Sequence, residues 1–127
     1  MITRVAAAVI ERDGAFLLTR RLHGTHLGGT WEFPGGKCEP GEPTDACLVR
    51  EIREELAADI VVGDLIMVTR HAYPERTVEL HFFRATLTGE PVPQIGQQMR
   101  WVRRGDLGSL AFPEADRELI GLLTSQT

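Results

Sequence analysis

Apolar and polar positions divide the chain into runs of different period, and each run predicts an element. Thr3 to Ile10 is rich in valine and alanine, Arg12-Asp13-Gly14 has the composition of a hairpin turn, and Ala15 to Thr19 resumes an apolar run. This pattern predicts two antiparallel strands joined by a tight turn. Arg20 to Thr30, with His23, His26 and three glycines, has no periodicity and reads as a loop. It leads into Trp31-Glu32-Phe33, a short strand feeding the turn residues Pro34-Gly35-Gly36. The period then changes. Val49, Ile52 and Leu56 fall on one side of a helical projection, and Glu51, Glu54 and Glu55, at i, i+3 and i+4, fall on the other.

Beyond this amphipathic helix, Ile60 to His71 suits a strand, Tyr73-Pro74-Glu75-Arg76 a turn, and Thr77 to Leu87 the partner strand. Glu90 to Gln98 reads as a loop, Met99 to Val102 as a brief strand and Gly105-Asp106-Leu107 as a turn. Pro113 sits where a helix can begin, with Ala115, Leu119, Leu122 and Leu123 spaced to pack inward. Strands, one acidic helix, more strands and a final helix make an α+β pattern of helices packed on a mixed sheet.

Composition adds bounds. A chain of 127 residues, 43% hydrophobic and 25% charged, is expected to form one domain spanning residues 1–127 around a single core. The formal net charge of -4 argues against a sequence-independent grip on nucleic acid, which needs a basic footprint. Cys38 and Cys47 are the only cysteines; too few for a zinc site, they read as reduced thiols, with no disulfide expected. The apolar run Val5 to Ile10 is too short to span a membrane and lacks a signal peptide's cleavage region, so the expectation is a cytoplasmic protein without membrane partners.

The acidic helix carries the candidate chemistry. Carboxylates at i and i+4 repel by roughly 0.2–0.5 kcal/mol unless neutralised. Carboxylate oxygens are hard ligands, suited to Mg²⁺ or Mn²⁺, and magnesium sites commonly combine few carboxylates with waters and substrate phosphates. The competing reading is a solvated acidic face balanced by Arg50 and Arg53. The preceding turn residues, Pro34-Gly35-Gly36 and Glu39-Pro40-Gly41-Glu42-Pro43, tip the balance by delivering Glu42 and the glycine backbone to the same helix.

Taken together, Gly36, Glu42, Arg50-Glu51-Ile52 and Glu54-Glu55 closely resemble the Nudix box, the signature of enzymes that hydrolyse a nucleoside diphosphate linked to another group. The likeness extends to Arg20-Arg21, Trp31 to Lys37 and Phe112-Pro113-Glu114-Ala115, and is nearest to the MutT-like nucleoside triphosphate pyrophosphohydrolases that remove oxidised nucleotides such as 8-oxo-dGTP. The resemblance implies an α/β/α sandwich, the Nudix fold, acting on a small nucleotide with Mg²⁺ or Mn²⁺, as a monomer or homodimer. It assigns Glu51, Glu54 and Glu55, with the Gly35 carbonyl, to the metal. Arg21 and His26 approach the nucleotide, Glu32, Phe33 and Pro34 line its base and sugar, and Lys37 and Tyr73 are weaker candidates.

Three positions depart from the pattern. Ala57 stands where the family has glycine, so either the helix runs on to Ala58-Asp59 or Ala57 is strained in a left-handed conformation. Gln94 to Arg100 has no carboxylate where comparable enzymes often supply another glutamate, which leaves Glu51 as the expected general base. Asp116 stands where 8-oxo-dGTP enzymes commonly present asparagine; an ionised aspartate only accepts hydrogen bonds, so CTP, 5-methyl-dCTP or hydroxylated dATP become alternative substrates. At the start of the last helix it also suits the helix dipole. Other Nudix specificities, for ADP-ribose or dinucleoside polyphosphates, and a non-catalytic nucleotide sensor are the remaining readings.

Overall fold

The computed structural model describes residues 2–25 and 27–125. Eight strands form two sheets. In the first, β5 (Gly35–Lys37), β1 (Ile2–Val9), β7 (Thr77–Leu87) and β6 (Ile60–Ala72) lie in that order. β1 and β7 run parallel, while the β1–β5 and β6–β7 pairs are antiparallel, so the sheet is mixed. In the second, β3 (Ala15–Arg20) is flanked by β8 (Met99–Arg103) on one side and by β2 (Glu11–Arg12) and β4 (Trp31–Glu32) on the other. Helices α1 (Thr44–Leu56) and α2 (Arg117–Thr124) complete the order, α2 following the 3₁₀ turns Arg104–Ser109 and Glu114–Asp116.

The period-2 alternation of β1 places the two helices on opposite faces. Ala6, Ala8 and Ile10 pack with Leu48, Ile52 and Leu56 of α1 in one apolar cluster, whereas Ala7 and Val9 pack with Phe16, Phe82, Leu119 and Leu123 in a second that includes α2. Helices on both faces of a mixed sheet are the expected α/β/α sandwich, and the alanines of β1 let α1 approach closely. No helix among the described residues is long and apolar enough to cross a membrane.

Four expectations are corrected. Thr3 to Ile10 does not pair with Ala15 to Thr19: β1 lies between β5 and β7 in the other sheet, and only the two-residue β2 makes the hairpin with β3, through Glu11↔Phe16 and Arg12↔Ala15. An apolar run buried on both faces is a central strand, and turn composition alone cannot say which run a hairpin joins. Gly35–Lys37 is a strand rather than a turn. A Cβ at Gly35 would collide with the Ala6 carbonyl, so glycine is what admits this close strand pairing. Leu122 is exposed, because Leu119 and Leu123 at i and i+4 already fill the buried stripe of α2. Finally, Cys38 and Cys47 form a disulfide, their Cα atoms 5.3 Å apart. Nine positions separate them in sequence, but the chain folds back after β5 and lays the first turn of α1 beside it.

Candidate active site

The acidic face of α1 opens onto a cavity of about 370 Å³, a size suited to a small ligand. Its apolar wall comes from alternate residues of paired strands: Thr3, Val5 and Ala7 of β1 lie opposite Val78, Leu80 and Phe82 of β7 in the parallel register. Nothing in the local sequence singled out this wall. The signal was the alternation in β7, but its meaning depends on a strand seventy-five residues away. Phe33 supplies a further apolar surface, stacked on Phe112 at 6.0 Å and edge-on to Phe82 at 6.1 Å.

The helix face is built around Arg50. Its guanidinium donates two hydrogen bonds to Glu42, Nε to Oε2 and Nη2 to Oε1, both at 2.8 Å. Nη1 donates to Glu51 at 3.1 Å and Glu54 at 3.2 Å, and Nη2 also reaches the Lys37 carbonyl at 3.1 Å. One planar cation thus ties the loop, β5 and two helix carboxylates together. Hydrogen bonds from Arg50, then from the Glu39 backbone, hold the Glu42 carboxyl down at about 2. Gly36 is needed here as well, since a Cβ would strike the Glu51 carboxylate.

Glu51 and Glu55 border the cavity, whereas Glu54 is largely exposed. Burial pushes the Glu55 carboxyl up to about 8, helped by the nearby Glu32 and Glu51 charges. Burial likewise raises Glu51, against the opposing pull of Arg50. Carboxylate oxygens are the donors a hard divalent cation takes, but among the described residues the group whose ligand atoms converge is Cys38, Glu42 and Cys47. Glu51, Glu54 and Glu55 do not close into one coordination shell, Glu51 and Glu54 being turned to Arg50.

Across the cavity, Arg21 Nη1 binds Glu32 Oε1 at 3.1 Å, while burial raises the Glu32 carboxyl. Arg20 turns elsewhere, to the Gly29 carbonyl and Gln98, so of the two arginines Arg21 is the one at the cavity. Asp116 is 4% exposed, and burial, then the Glu32 charge, lift its carboxyl to about 7 although Arg21 opposes the shift. It stands at the N-cap of α2 and makes no side-chain capping hydrogen bond there. Tyr73, Lys37 and Arg76 also line the cavity. Pro34 is buried, its carbonyl accepting from Ala8 N at 2.8 Å, and Gly35 borders the cavity. His26 lies outside the described residues.

The departures resolve structurally. Ala57 adopts the left-handed conformation, φ 50° and ψ 36°, and its N–H bonds the Arg53 carbonyl, so the helix ends here despite the missing glycine. The carboxylate-free loop closes the end of α1 instead: Gln94 N and Val92 N donate to the Glu55 and Leu56 carbonyls at 2.9 and 2.7 Å. Gln97, buried, fixes the loop by accepting from Ile95 N at 3.0 Å.

Comparison with known proteins places this architecture. The NUDIX domain matches residues 5–122. The chain belongs to that family. Nudix relatives include an 8-oxo-dGTP diphosphatase of Haemophilus influenzae, 34% identical over 99% of this chain and 94% of that protein. A CTP pyrophosphohydrolase of Escherichia coli is 44% identical over 61% of this chain and 57% of that protein. Among solved structures, the E. coli ORF135 protein superposes with a TM-score of 0.82 at 34% identity, covering 96% of this chain and 86% of that one. MutT from Methanosarcina mazei gives 0.87 at 25% identity, covering 98% and 94%. The α+β fold is therefore that of the MutT-like Nudix proteins, and the chain is a hydrolase of phosphoric anhydrides. Nudix hydrolases generally need a divalent metal.

Proposed function

We propose that the protein hydrolyses a nucleoside triphosphate, an oxidised one such as 8-oxo-dGTP, to the monophosphate and pyrophosphate, with Mg²⁺ as its metal. The observation that carries this reading is the lining of the cavity, which combines glutamates of α1 with carboxyls raised by burial, an aromatic and apolar wall, and the buried Asp116 carboxyl, able to read a base. Glu51, Glu54 and Glu55, with the Gly35 carbonyl, would hold the cation, which when bound activates water and neutralises charge on the phosphates. Glu51 takes the proton of the attacking water, and Arg50 keeps Glu51 and Glu54 aimed by its bonds to Glu42 and Lys37. Glu32, Phe33 and Pro34 line the base and sugar, with Arg21 holding Glu32 by its 3.1 Å bond.

Asp116 separates this reading from one limited to cytosine by its protonation state. A carboxyl near pH 7 is protonated in about half the molecules and then donates and accepts at once, as asparagine does. The ionised half only accepts, which suits the amino group of CTP or 5-methyl-dCTP, the second reading. Comparing kcat/KM for 8-oxo-dGTP, dGTP, CTP, 5-methyl-dCTP and ADP-ribose separates them. Glu51→Gln and Glu55→Gln should each reduce kcat by about 10²-fold or more. Full turnover in both variants would remove the acidic face from the chemistry, and tight nucleotide binding without pyrophosphate release would make the wild-type protein a sensor.

A further inference from the structure

The Cys38–Cys47 disulfide closes the segment that carries Glu42. Cys38 directly follows Lys37, whose carbonyl accepts from Arg50, and Cys47 lies one helical turn before Arg50 in α1. The bond therefore fastens β5 to the helix at both sides of the arginine that aligns Glu51 and Glu54. Polar contacts also hold the segment: Arg4 donates to the Glu42 and Glu39 carbonyls at 2.8 Å each, and Glu39 N donates to Glu42 Oε1 at 3.0 Å. These anchor the loop to β1 and to itself, while the Arg50–Glu42 and Arg50–Lys37 bonds tie it to the helix through a long side chain, and the disulfide adds the covalent link.

We infer that Cys38–Cys47 is a thiol–disulfide exchange site for small-molecule thiols, and that its oxidised form holds the acidic face in its cation-binding arrangement. The two sulfurs differ in access. Cys47 is fully buried, whereas Cys38 is half-buried, so an incoming thiol reaches Cys38. As its sulfur bonds to Cys38 Sγ, the Sγ–Sγ bond breaks, and the electron pair leaves on Cys47 Sγ, which takes up a proton. A second thiol then attacks the first thiol's sulfur, releases Cys38 as a thiol and departs as the small-molecule disulfide. The protein gains two electrons and two protons; the two thiols lose them. Once reduced, α1 and β5 separate more freely, the Arg50–Glu42 pair loosens, and Glu51 and Glu54 lose alignment.

The consequence for the cation rests on the assignment of the acidic face to metal, so the test reads loop order and metal uptake separately. Wild-type protein, air-oxidised or treated with 2-mercaptoethanol and then desalted, is examined by amide hydrogen exchange over residues 38–50 and by Mn²⁺ titration followed by electron paramagnetic resonance. Cys38→Ser serves as a permanently open form that leaves the buried Cys47 in the core. Reduction and Cys38→Ser should both speed exchange in the segment and weaken Mn²⁺ binding by about tenfold, the size of effect typical of groups that orient metal ligands. Reoxidation should restore the wild type alone. Unchanged exchange and unchanged Mn²⁺ affinity would overturn the inference, as would two alkylatable thiols in the air-oxidised protein. Faster exchange with no Mn²⁺ uptake in either state would sustain the exchange site and reject the metal assignment.

Discussion

Asp116 is the residue whose environment says most about selectivity. Its carboxyl is buried near Glu32, Arg21 and Tyr73, and burial, then the Glu32 charge, lift it to about 7 against the pull of Arg21. The preference for 8-oxo-dGTP over 5-methyl-dCTP should therefore fall as pH rises from 6 to 8, and Asp116→Asn should abolish that dependence while favouring oxidised guanine. A ratio that stays flat in the wild type would exclude Asp116 from base reading. The same shift has a stability consequence. A carboxyl raised on folding stabilises the native state at low pH and loses that advantage as pH climbs from about 4 through 7. Asp116→Asn should thus raise Tm at pH 8, by on the order of 2 kcal/mol of stability, and change it little at pH 4. Ala57 offers a second test at this scale: glycine relieves its left-handed backbone, and Ala57→Gly should gain roughly 0.5–1 kcal/mol in denaturant unfolding without altering kcat.

At the level of the element, α1 works because one face is apolar and the other is organised by a single cation. Lysine cannot reproduce the planar fork that bonds Glu42 twice while reaching Glu51, Glu54 and Lys37. Arg50→Lys should lower kcat/KM by about 10- to 100-fold through weaker metal affinity, with excess metal restoring much of the loss. A loss that metal does not rescue would assign Arg50 a different role. Glu42 adds an acid limit of known sign. Its carboxyl is lowered on folding, so its contribution is complete above the ordinary glutamate range and disappears as pH falls through about 2. The legibility of this element in sequence was high, because an i, i+3, i+4 pattern depends only on helical geometry. Arg50's partners were partly legible: Glu54 lies one turn away, whereas Glu42 reaches it through a loop closed by the disulfide.

For the whole molecule, that disulfide closes a nine-position loop against a core strand, and reducing it should cost about 2–4 kcal/mol, seen as a Tm lower by roughly 8–15 °C. The cavity belongs to this scale too. Its floor joins β1 to β7, its acidic edge is α1, and the turn before α2 contributes Pro113, Ala115 and Asp116. Each piece was visible alone: Glu51 and Glu55 by spacing, Phe33 and Glu32 within the Trp31 to Lys37 segment, Asp116 as a departure from a pattern. The raised carboxyls were not visible, because they result from burial among groups far apart in the chain.

The amino-acid sequence by itself determined the elements whose cause is local: the amphipathic α1, the β6–β7 hairpin around Tyr73–Arg76, and the turn that opens α2. Periodicity and turn composition act over a few residues, and so they survive reading without coordinates. Only the tertiary structure decided that β1 pairs with β7 rather than β3, that two cysteines expected to be reduced thiols are bonded, and that Asp116 is buried near Glu32. Those outcomes depend on which apolar faces bury one another, a choice made by the packing of the entire chain.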